Sequence, residues 1–390
     1  MPLKHSQIWN LLQAKRSQFE AFDQLALKAL ARYRAALAEE SQECAKDLLE
    51  RLREFETLDR GAEPIEPLGE FPNWIMPSGL AWQNREESLG WVRDRLTDVS
   101  TFAVDGSQIY PGKDLSIPVA LVQIGWFENL HRADACYEKD IDVDIMTPVE
   151  LKATSSGDPV DRRVNMRRFQ METERIIQYM DDHSNTGNCL AFFDGSLVVT
   201  FAEAFDETTR NFYVECVVEL LKASQQYRVP LVSYIDTTYA RDLIVMLQRL
   251  DDLPEAPSLH DAPLVNKFMQ WGDRTPLFRC RRSGILKHYP AHLRDQVLFT
   301  YLKAHDGFPV RLEFPLWVYE AGIANTILDW VRGEIIIGGG YPYVIETADQ
   351  TAVLKADDRQ MFFKLLQDWA DTEALNLRLS RKMVSKVRRR

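Results

Sequence analysis

The sequence has few cysteines and no long apolar run. Its five cysteines, at positions 44, 136, 189, 216 and 280, include no C-x-x-C pair. This scatter excludes a zinc ribbon and a disulfide framework, and it fits a reducing compartment. No stretch approaches the roughly 18 consecutive apolar residues of a membrane span. The N-terminus lacks the apolar core of a signal peptide, so we expect a cytoplasmic protein without a membrane partner.

Net positive charge is also absent. Lys and Arg total 47 against 58 Asp and Glu, which gives a formal net charge of −11. This excess of acid argues against a nonspecific binder of polyanions. Local basic clusters still permit contact with nucleic acid, although a solvated helix face or a frayed tail explains any single cluster equally well. The clusters are Arg162, Arg163, Arg167 and Arg168; Arg279, Arg281, Arg282 and Lys287; and Arg378, Arg381, Lys382, Lys386, Arg388, Arg389 and Arg390 in the C-terminal tail.

The first part of the chain has a helical pattern. Residues 6–58 contain no Gly or Pro, and their apolar residues recur at spacings of three or four. They predict a long, coiled-coil-like helix or helix pair, which more often packs on a partner subunit than takes part in chemistry. A Pro- and Gly-rich connector follows from 61 to 79. We therefore predict an N-terminal helical region with its connector over 1–95, and a second domain over 96–390.

The second domain has an α/β pattern. A strand, two further strands, a helix, and then alternating strands and helices are typical of a ribonuclease H-like core, a mixed sheet flanked by helices. Residues 251–310 give no clear pattern. The predicted strands are 101–105, 117–127, one within 133–146, 189–194, 229–235 and 310–314, and the predicted helices are 84–95, 160–182, 203–226, 239–250, 317–331 and 356–375.

One short motif occurs twice in this domain. An apolar run ends in Asp105-Gly106-Ser107, and another ends in Asp194-Gly195-Ser196. Each run predicts a buried strand that delivers a carboxylate to its end. Two carboxylates at one sheet edge raise each other's pKa unless a cation lies between them. Hard divalent ions such as Mg²⁺ and Mn²⁺ prefer these oxygen ligands, so the pair predicts a metal site.

Three motifs in order resemble those of the NurA nuclease family. They are Ala103-Val104-Asp105-Gly106-Ser107, Phe193-Asp194-Gly195-Ser196-Leu197, and Gly340-Tyr341-Pro342 followed by Ala348-Asp349. The resemblance runs from about residue 100 to about residue 355. It implies a ribonuclease H-like fold and a Mn²⁺-dependent 5′→3′ exonuclease that acts on single- and double-stranded DNA and cuts single strands internally. It also implies a homodimer, a HerA-type hexameric ATPase as partner, and a role in end resection at double-strand breaks.

The resemblance assigns roles to individual residues. Asp105 and Asp194 match the family's metal-binding aspartates, and Tyr341 matches its C-terminal tyrosine. The family has a glutamate on the helix before the second strand. Here Glu172 is favoured because it shares an inward face with Ile176 and Met180, and Glu174 is the alternative. Asp349 stands where many members have histidine. A carboxylate can replace imidazole as a ligand for Mn²⁺ or Mg²⁺, but it supplies no positive charge.

These assignments suit the hydrolysis of a phosphodiester. Two ions about 3.5–4 Å apart serve the attacking water and the leaving oxygen. Asp105 would bridge the ions, and Asp194, Glu172 and Asp349 would complete their ligands. Ser107 and Ser196 would position a phosphate or a water. Arg162, Arg163, Arg167 and Arg168 would hold DNA phosphates, since they open the helix that carries Glu172.

Two other functions compete with this one. A catalytically degenerate NurA-like subunit would bind DNA and regulate a partner ATPase, an alternative that Asp349 motivates. An actin-like phosphotransferase also has aspartates at strand ends, although its loops usually read Asp-x-Gly-Ser/Thr. Further candidate residues are weaker. Asp236 ends another apolar strand, Glu313 follows Arg311 with which it can pair, and Pro290 interrupts the metal-like spacing of His288 and His292.

Overall fold

The computed structural model describes residues 3–112, 115–134, 137–152 and 159–377. The chain divides into two compact units, one of Met1–Ala81 with Ile235–Glu313, the other of Trp82–Tyr234 with Phe314–Arg390. This division has no single boundary near residue 95, because the stretch 235–313 groups with the N-terminal residues. The predicted basic tail from Arg378 onward lies outside the described residues, as does Cys136.

The helices and strands follow one another along the chain in an α/β order. They are α1 (His5–Ala14), α2 (Arg16–Glu40), α3 (Ala45–Leu52), β1 (Gly61–Pro64), α4 (Arg85–Leu96), β2 (Ser100–Ile109), β3 (Ala120–Asn129), β4 (Tyr137–Met146), α5 (Val160–Asp182), β5 (Cys189–Asp194), α6 (Glu207–Tyr227), β6 (Leu231–Ile235), α7 (Asp242–Leu250), α8 (Asp261–Asn266), β7 (Phe278–Arg281), β8 (Val297–Leu302), β9 (Val310–Pro315), α9 (Leu316–Glu320), α10 (Ala324–Ile337), α11 (Tyr343–Ala352) and α12 (Ala356–Thr372).

In the first unit, β1, β7, β8 and β9 are successive neighbours in a sheet. The predicted helical region at 6–58 is helical, but it is divided into α1, α2 and α3. The apolar stripe along α1 and the first half of α2 is exposed to solvent, whereas the buried residues of α2 begin at Tyr33. The exposed members of the stripe are Ile8, Leu11, Leu12, Phe19, Phe22, Leu25 and Leu27.

In the second unit, the strands lie in the order β6-β5-β2-β3-β4. β2, β3 and β4 form an antiparallel meander, and β5 and β6 continue it in parallel from β2. This is the strand order of a ribonuclease H-like fold, and it confirms the predicted mixed sheet flanked by helices. The helices α5 and α11 both pack on β2 and β3. Phe102 of β2 stacks on Tyr179 of α5 with ring centroids 4.3 Å apart.

The C-terminal part of the chain differs from its prediction in two ways. The helix predicted over 317–331 is two helices, α9 and α10, because Gly322 between them takes a left-handed backbone with a φ of 71°. The helix α11 was not predicted at all. Further on, α12 packs Phe362, Phe363 and Leu366 against Ile109 at the end of β2. No helix among the described residues is long and apolar enough to cross a bilayer.

Candidate active site

The two Asp-Gly-Ser motifs lie on neighbouring parallel strands. β2 and β5 pair through Ser100 with Cys189, Thr101 with Leu190 and Phe102 with Ala191. The same offset, continued along both strands, sets Asp105 opposite Asp194. β5 ends at Asp194 as predicted, but β2 continues to Ile109, so the prediction that its strand ends at Asp105 was wrong. The reason is that the second half of β2 is held by β3, with which it pairs along its length.

A third carboxylate reaches Asp105 from α11. The carboxyl of Asp349 lies close enough to that of Asp105 to raise the pKa of Asp105. The helix can come this close because the residue paired with Asp105 on β3 is Gly125. A Cβ on Gly125 would lie 2.6 Å from the backbone nitrogen of Ala352 and 2.9 Å from its Cα, so only glycine leaves room for the last turn of α11. No pattern along the chain marks this glycine as part of the site.

Both ends of α11 are fixed by side chains from the sheet and from α10. At its start, Glu334 Oε2 accepts a hydrogen bond from the Val344 N–H at 3.0 Å. At its end, Gln123 Nε2 donates to the Ala352 carbonyl at 3.0 Å. Just beyond, the Leu354 N–H donates to Ser107 Oγ at 3.3 Å. Ser107, predicted to position a phosphate or water, thus also holds the segment that follows α11.

Glu334 connects α11 to the base of β2. Its other oxygen, Oε1, accepts from Thr101 Oγ1 at 2.7 Å and lies 3.1 Å from His131 Nε2. The other ring nitrogen of His131 lies 2.8 Å from the Val99 carbonyl oxygen, so both nitrogens have acceptors. Burial lowers the pKa of His131, but Glu334 and the backbone bonds outweigh burial and leave that pKa above its usual value. His131 and Glu334 thus form a buried pair between the base of β2 and the start of the helix that carries Asp349.

The helix carboxylate beside β2 is Glu172. It is 8% exposed, and it lies against Gly106, where a Cβ would collide with Glu172 Oε1 and lie 2.6 Å from Arg168 Cγ. Arg168 Nη1 is 3.3 Å from Glu172 Oε1, yet that oxygen has no hydrogen-bond partner. Glu174 is exposed and accepts from Gln170 Nε2 at 2.8 Å. Of the two predicted glutamates, the structure sets Glu172 against the strand that carries Asp105.

The electrostatics of these carboxylates show that they repel one another. Burial raises the pKa of Asp105 to about 6, and the carboxyls of Asp349 and Asp194 contribute to the rise. Burial raises the pKa of Glu172 to about 8, against the pull of Arg168 and with the help of Asp105 and Asp194. Groups whose pKa is shifted in this way by burial and by like charges cluster at functional sites.

The donor chemistry of this cluster fits a hard divalent cation. All four side chains offer carboxylate oxygens, and a cation would relieve the repulsion between them. One of these oxygens, Glu172 Oε1, is buried without a hydrogen bond. Within the ranges described, however, no three His, Cys, Asp or Glu side chains are placed so as to hold one ion together. One reason is the alternation of β2: Gly106 faces α5 and Glu172, while the cross-strand partner of Asp105 faces α11.

Each of the four predicted DNA-binding arginines has a partner within the protein. Arg168 lies nearest the carboxylates, where its Nη1 donates to the Gly106 carbonyl at 3.0 Å. The others contact residues farther from Asp105. Arg162 pairs with Asp206 at 3.0 Å, Arg163 donates to the Glu150 carbonyl at 3.2 Å, and Arg167 pairs with Asp144 at 2.6 Å.

Tyr341 and Ser196 occupy turns at the edge of the cluster. Tyr341 follows Gly339 and Gly340, whose φ values of 70° and 126° are costly for other residues. Its ring packs edge-on against Tyr234 of β6, with centroids 5.2 Å apart. Ser196 Oγ donates to the Val198 carbonyl at 2.9 Å and accepts from the Val198 N–H at 3.0 Å, a turn-forming pattern.

The weaker candidates have partners of their own in the first unit. Asp236 lies 3.2 Å from His305 Nε2, and Glu313 is fully buried with Arg311 at 2.7 Å. The pairing of Glu313 with Arg311 is the simpler of the two interpretations that the sequence allowed. His288 ends a short 3₁₀ turn, and the chain is extended at Tyr289, so no helix presents His288 and His292 on one face.

Sequence reasoning missed α11, Gly125 and Glu334. A signal for α11 was present: Val344, Ala348 and Ala352 recur at a spacing of four, after a proline, and all three are buried. No comparable signal marks Gly125 or Glu334, because their roles depend on what packs against them.

The fold and the cluster define a ribonuclease H-like protein with acidic side chains gathered on adjoining strands. The model of the NurA domain family matches residues 99–354, more than half of the chain. The chain therefore belongs to the NurA family of nucleases, and this membership replaces the phosphotransferase alternative. No curated protein matches it. Among solved structures it matches the catalytic domain of human endonuclease V, with 12% identity and a TM-score of 0.31, over 73% of this chain and 96% of that one.

Proposed function

We propose that this nuclease is a deoxyribonuclease that depends on Mn²⁺ or Mg²⁺. The observation that carries the proposal is the convergence of Asp349 and Asp194 on Asp105, whose pKa both carboxyls raise, within the NurA domain. The carboxyls of half-buried Asp105 and exposed Asp349 repel each other at neutral pH unless a cation or a proton lies between them. A cation also accounts for Glu172 Oε1, which is buried without a hydrogen bond although Arg168 lies 3.3 Å away.

Asp105, Asp194, Asp349 and Glu172 would share two metal ions between them, since no three of these side chains are placed to hold one ion together. The bound ions would supply an activated water and a positive centre for the phosphate oxygens. Arg168 would bind a nonbridging phosphate oxygen, because it already lies between the Gly106 carbonyl and Glu172. Gly106 and Gly195 carry no side chain, which lets the DNA backbone approach the strands closely.

The finer activities proposed are a 5′→3′ exonuclease on single- and double-stranded DNA and an endonuclease on single strands. The test uses oligonucleotides labelled at the 5′ or the 3′ end, single-stranded or duplex, with Mn²⁺, Mg²⁺ or EDTA. Strands labelled at the 5′ end should release a labelled mononucleotide, and circular single-stranded DNA should be cut internally. Asp105→Asn should abolish both without loss of the folded state, and cleavage by that variant at the wild-type rate would refute the assignment.

We also propose that the chain works as a homodimer with a HerA-type hexameric ATPase in cytoplasmic end resection. What supports the dimer is the exposed stripe on α1 and α2, since so many large apolar side chains rarely face water without a partner. Phe19→Asp and Phe22→Asp together should convert a dimer into a monomer in sedimentation experiments. A wild-type chain that is monomeric at micromolar concentration would contradict this part of the proposal.

The alternative is a catalytically degenerate subunit that binds DNA and regulates the ATPase. Asp349 is the observation that favours it, since many family members have histidine at this position. The two functions differ in the effect of Asp349→His and Asp349→Asn. A ligand role predicts cleavage that is lost in Asp349→Asn and kept in Asp349→His. If the wild type does not cut and Asp349→His does, the chain is the degenerate form.

A further inference from the structure

An open pocket of about 490 Å³ adjoins the carboxylates in the second unit. Gly106 and Ser107, which directly follow Asp105, line the pocket, and so does Arg168. Its volume lies within the range of pockets that bind small ligands, about 300–1,000 Å³. An occupant of this pocket would therefore contact the residues that directly follow Asp105, and Arg168 beside Glu172.

The wall of the pocket is aromatic. Phe169 and Phe201 each meet Tyr213 edge-on, with ring centroids 5.0 Å apart in both pairs. Phe205 packs beside Tyr213 at 5.9 Å, and the guanidinium of Arg162 lies over the Phe205 ring at 4.7 Å. Phe201 stands out because half of its surface is exposed, although apolar rings surround it. The exposed half of Phe201 is therefore available to a flat ligand.

Another part of the lining is polar, and one of its acceptors has no hydrogen-bond donor. Gln108 Nε2 donates to the Tyr110 hydroxyl at 2.9 Å, and that hydroxyl donates to Asn165 Oδ1 at 2.6 Å. These bonds fix the orientation of the Gln108 amide. Its other atom, Oε1, is buried and has no hydrogen-bond partner among the described residues. A buried acceptor without a partner is costly, so this position suits a ligand that brings an N–H group.

We propose that this pocket binds a nucleobase of the DNA substrate, next to the phosphate that is cut. The base lies on the face of Phe201, its amino or imino edge meets the Gln108 amide, and Arg168 meets the adjoining phosphate. A base in this pocket is unstacked from its neighbours, so DNA enters the site as a single strand or a frayed end. The inference rests on the proposed nuclease function and specifies which form of its substrate the site takes.

A nucleobase explains the pocket better than other occupants. Aromatic rings stack on every base, so they bind a strand without demanding one sequence. An apolar peptide side chain would fill the aromatic wall but would leave Gln108 Oε1 without a donor. A free phosphate would meet Arg168 but none of the rings. Only a heterocycle linked to a phosphate uses both walls and the arginine.

The test measures binding in EDTA, so that its result does not depend on cleavage. The full chain is titrated with single-stranded oligonucleotides that carry 2-aminopurine, or an abasic site, at each position in turn. The variants are Phe201→Ala, Phe201→Leu and Phe201→Trp; the leucine keeps the apolar volume and removes only the aromatic face. The control is Phe308→Ala, because Phe308 is an equally exposed phenylalanine, at 56% against 50% for Phe201, and does not line the pocket.

In the wild type, 2-aminopurine should be quenched at one position, and an abasic site there should weaken binding by about tenfold. Phe201→Ala and Phe201→Leu should lose the quench and the discrimination against the abasic site, while Phe201→Trp and Phe308→Ala keep both. Wild-type affinity that is unchanged by an abasic site at every position would overturn the inference, as would Phe201→Leu with wild-type discrimination. Cleavage with no dependence on the base would reject the pocket but keep the nuclease. Base-dependent binding without cleavage in Mn²⁺ would reject the nuclease but keep the pocket.

Discussion

Gly125 of β3 and Ala352 of α11 are in backbone contact, and this contact carries Asp349 to Asp105. A Cβ on Gly125 would lie 2.6 Å from the Ala352 nitrogen, closer than side-chain carbons approach a backbone atom. We expect Gly125→Ala to destabilise the fold by about 1–3 kcal/mol, because a packed helix must shift. It should also lower the DNA cleavage rate at least tenfold, because α11 carries Asp349 with it. Thermal unfolding and cleavage kinetics measure the two effects.

The matched control is a glycine with space around it. Gly90 lies inside α4, and a Cβ there meets nothing closer than 4.0 Å. Gly90→Ala should stabilise the protein by about 0.5–1 kcal/mol through helix propensity and leave cleavage unchanged. If Gly125→Ala and Gly90→Ala change stability and cleavage equally, the position of α11 does not depend on the space above Gly125.

The buried Glu172 carboxyl should make stability depend on pH. Its pKa of about 8 in the folded protein lies above the ordinary value of about 4.3 in an unfolded chain. The folded state therefore binds this proton more tightly. The stability that the protonated group contributes is present below about pH 4 and is lost as the pH rises through about 8. Because glutamine mimics the protonated form, Glu172→Gln should unfold at a higher temperature than the wild type at pH 9 and at a similar temperature at pH 5.

Glu174→Gln is the control for this measurement, since Glu174 lies two residues away on the exposed face of the same helix. Its melting temperature should follow that of the wild type at both pH values. If the melting temperature of Glu172→Gln at pH 9 is no higher than that of the wild type, Glu172 ionises in the folded state without a cost in stability.

Divalent metal should stabilise the folded protein more at a pH where the carboxylates of the site are ionised. At pH 8, Mn²⁺ or Mg²⁺ at a hundred times its dissociation constant should add about 2.7 kcal/mol to the free energy of unfolding. The same metal concentration should add less at pH 5, because the raised pKa of Asp105, about 6, keeps that ligand protonated and weakens metal binding. EDTA should remove the gain. An equal metal-dependent rise in melting temperature in an Asp105→Asn, Asp194→Asn double variant would place the ion elsewhere.

Glu334 should act by positioning α11. Glu334→Ala removes the acceptor for the Val344 N–H, for Thr101 and for His131, and it leaves the buried histidine without its partner. We expect a loss of about 3 kcal/mol in stability and a fall in kcat with little change in KM for DNA. The loss should shrink at high pH, since the His131 charge that Glu334 stabilises is itself lost as the pH rises through the raised pKa of His131.

Glu346→Ala is the control for this variant, because Glu346 lies on the exposed side of α11, the helix whose start Glu334 holds. A Glu334→Ala protein that is as stable as Glu346→Ala, with wild-type kcat, would show that the buried pair does not set the position of Asp349.

Much of this protein is determined by local pattern. The repeated Asp-Gly-Ser motif, the alternation of strands and helices, and the inward face of Glu172 were all legible along the chain. Hydrophobic periodicity reports which face of an element is buried, and that sufficed for the mixed sheet, for β5 ending at Asp194 and for the family resemblance.

Tertiary structure decided how the acids meet. Gly125 and Glu334 are unremarkable in sequence, and only the packing of α11 on β3 shows that one makes room for Asp349 and the other fixes its helix. The aromatic pocket likewise draws on β2, α5, α6 and a turn that are far apart along the chain. Contacts between distant segments depend on close packing at particular atoms, and hydrophobic periodicity carries no information about which atoms those are.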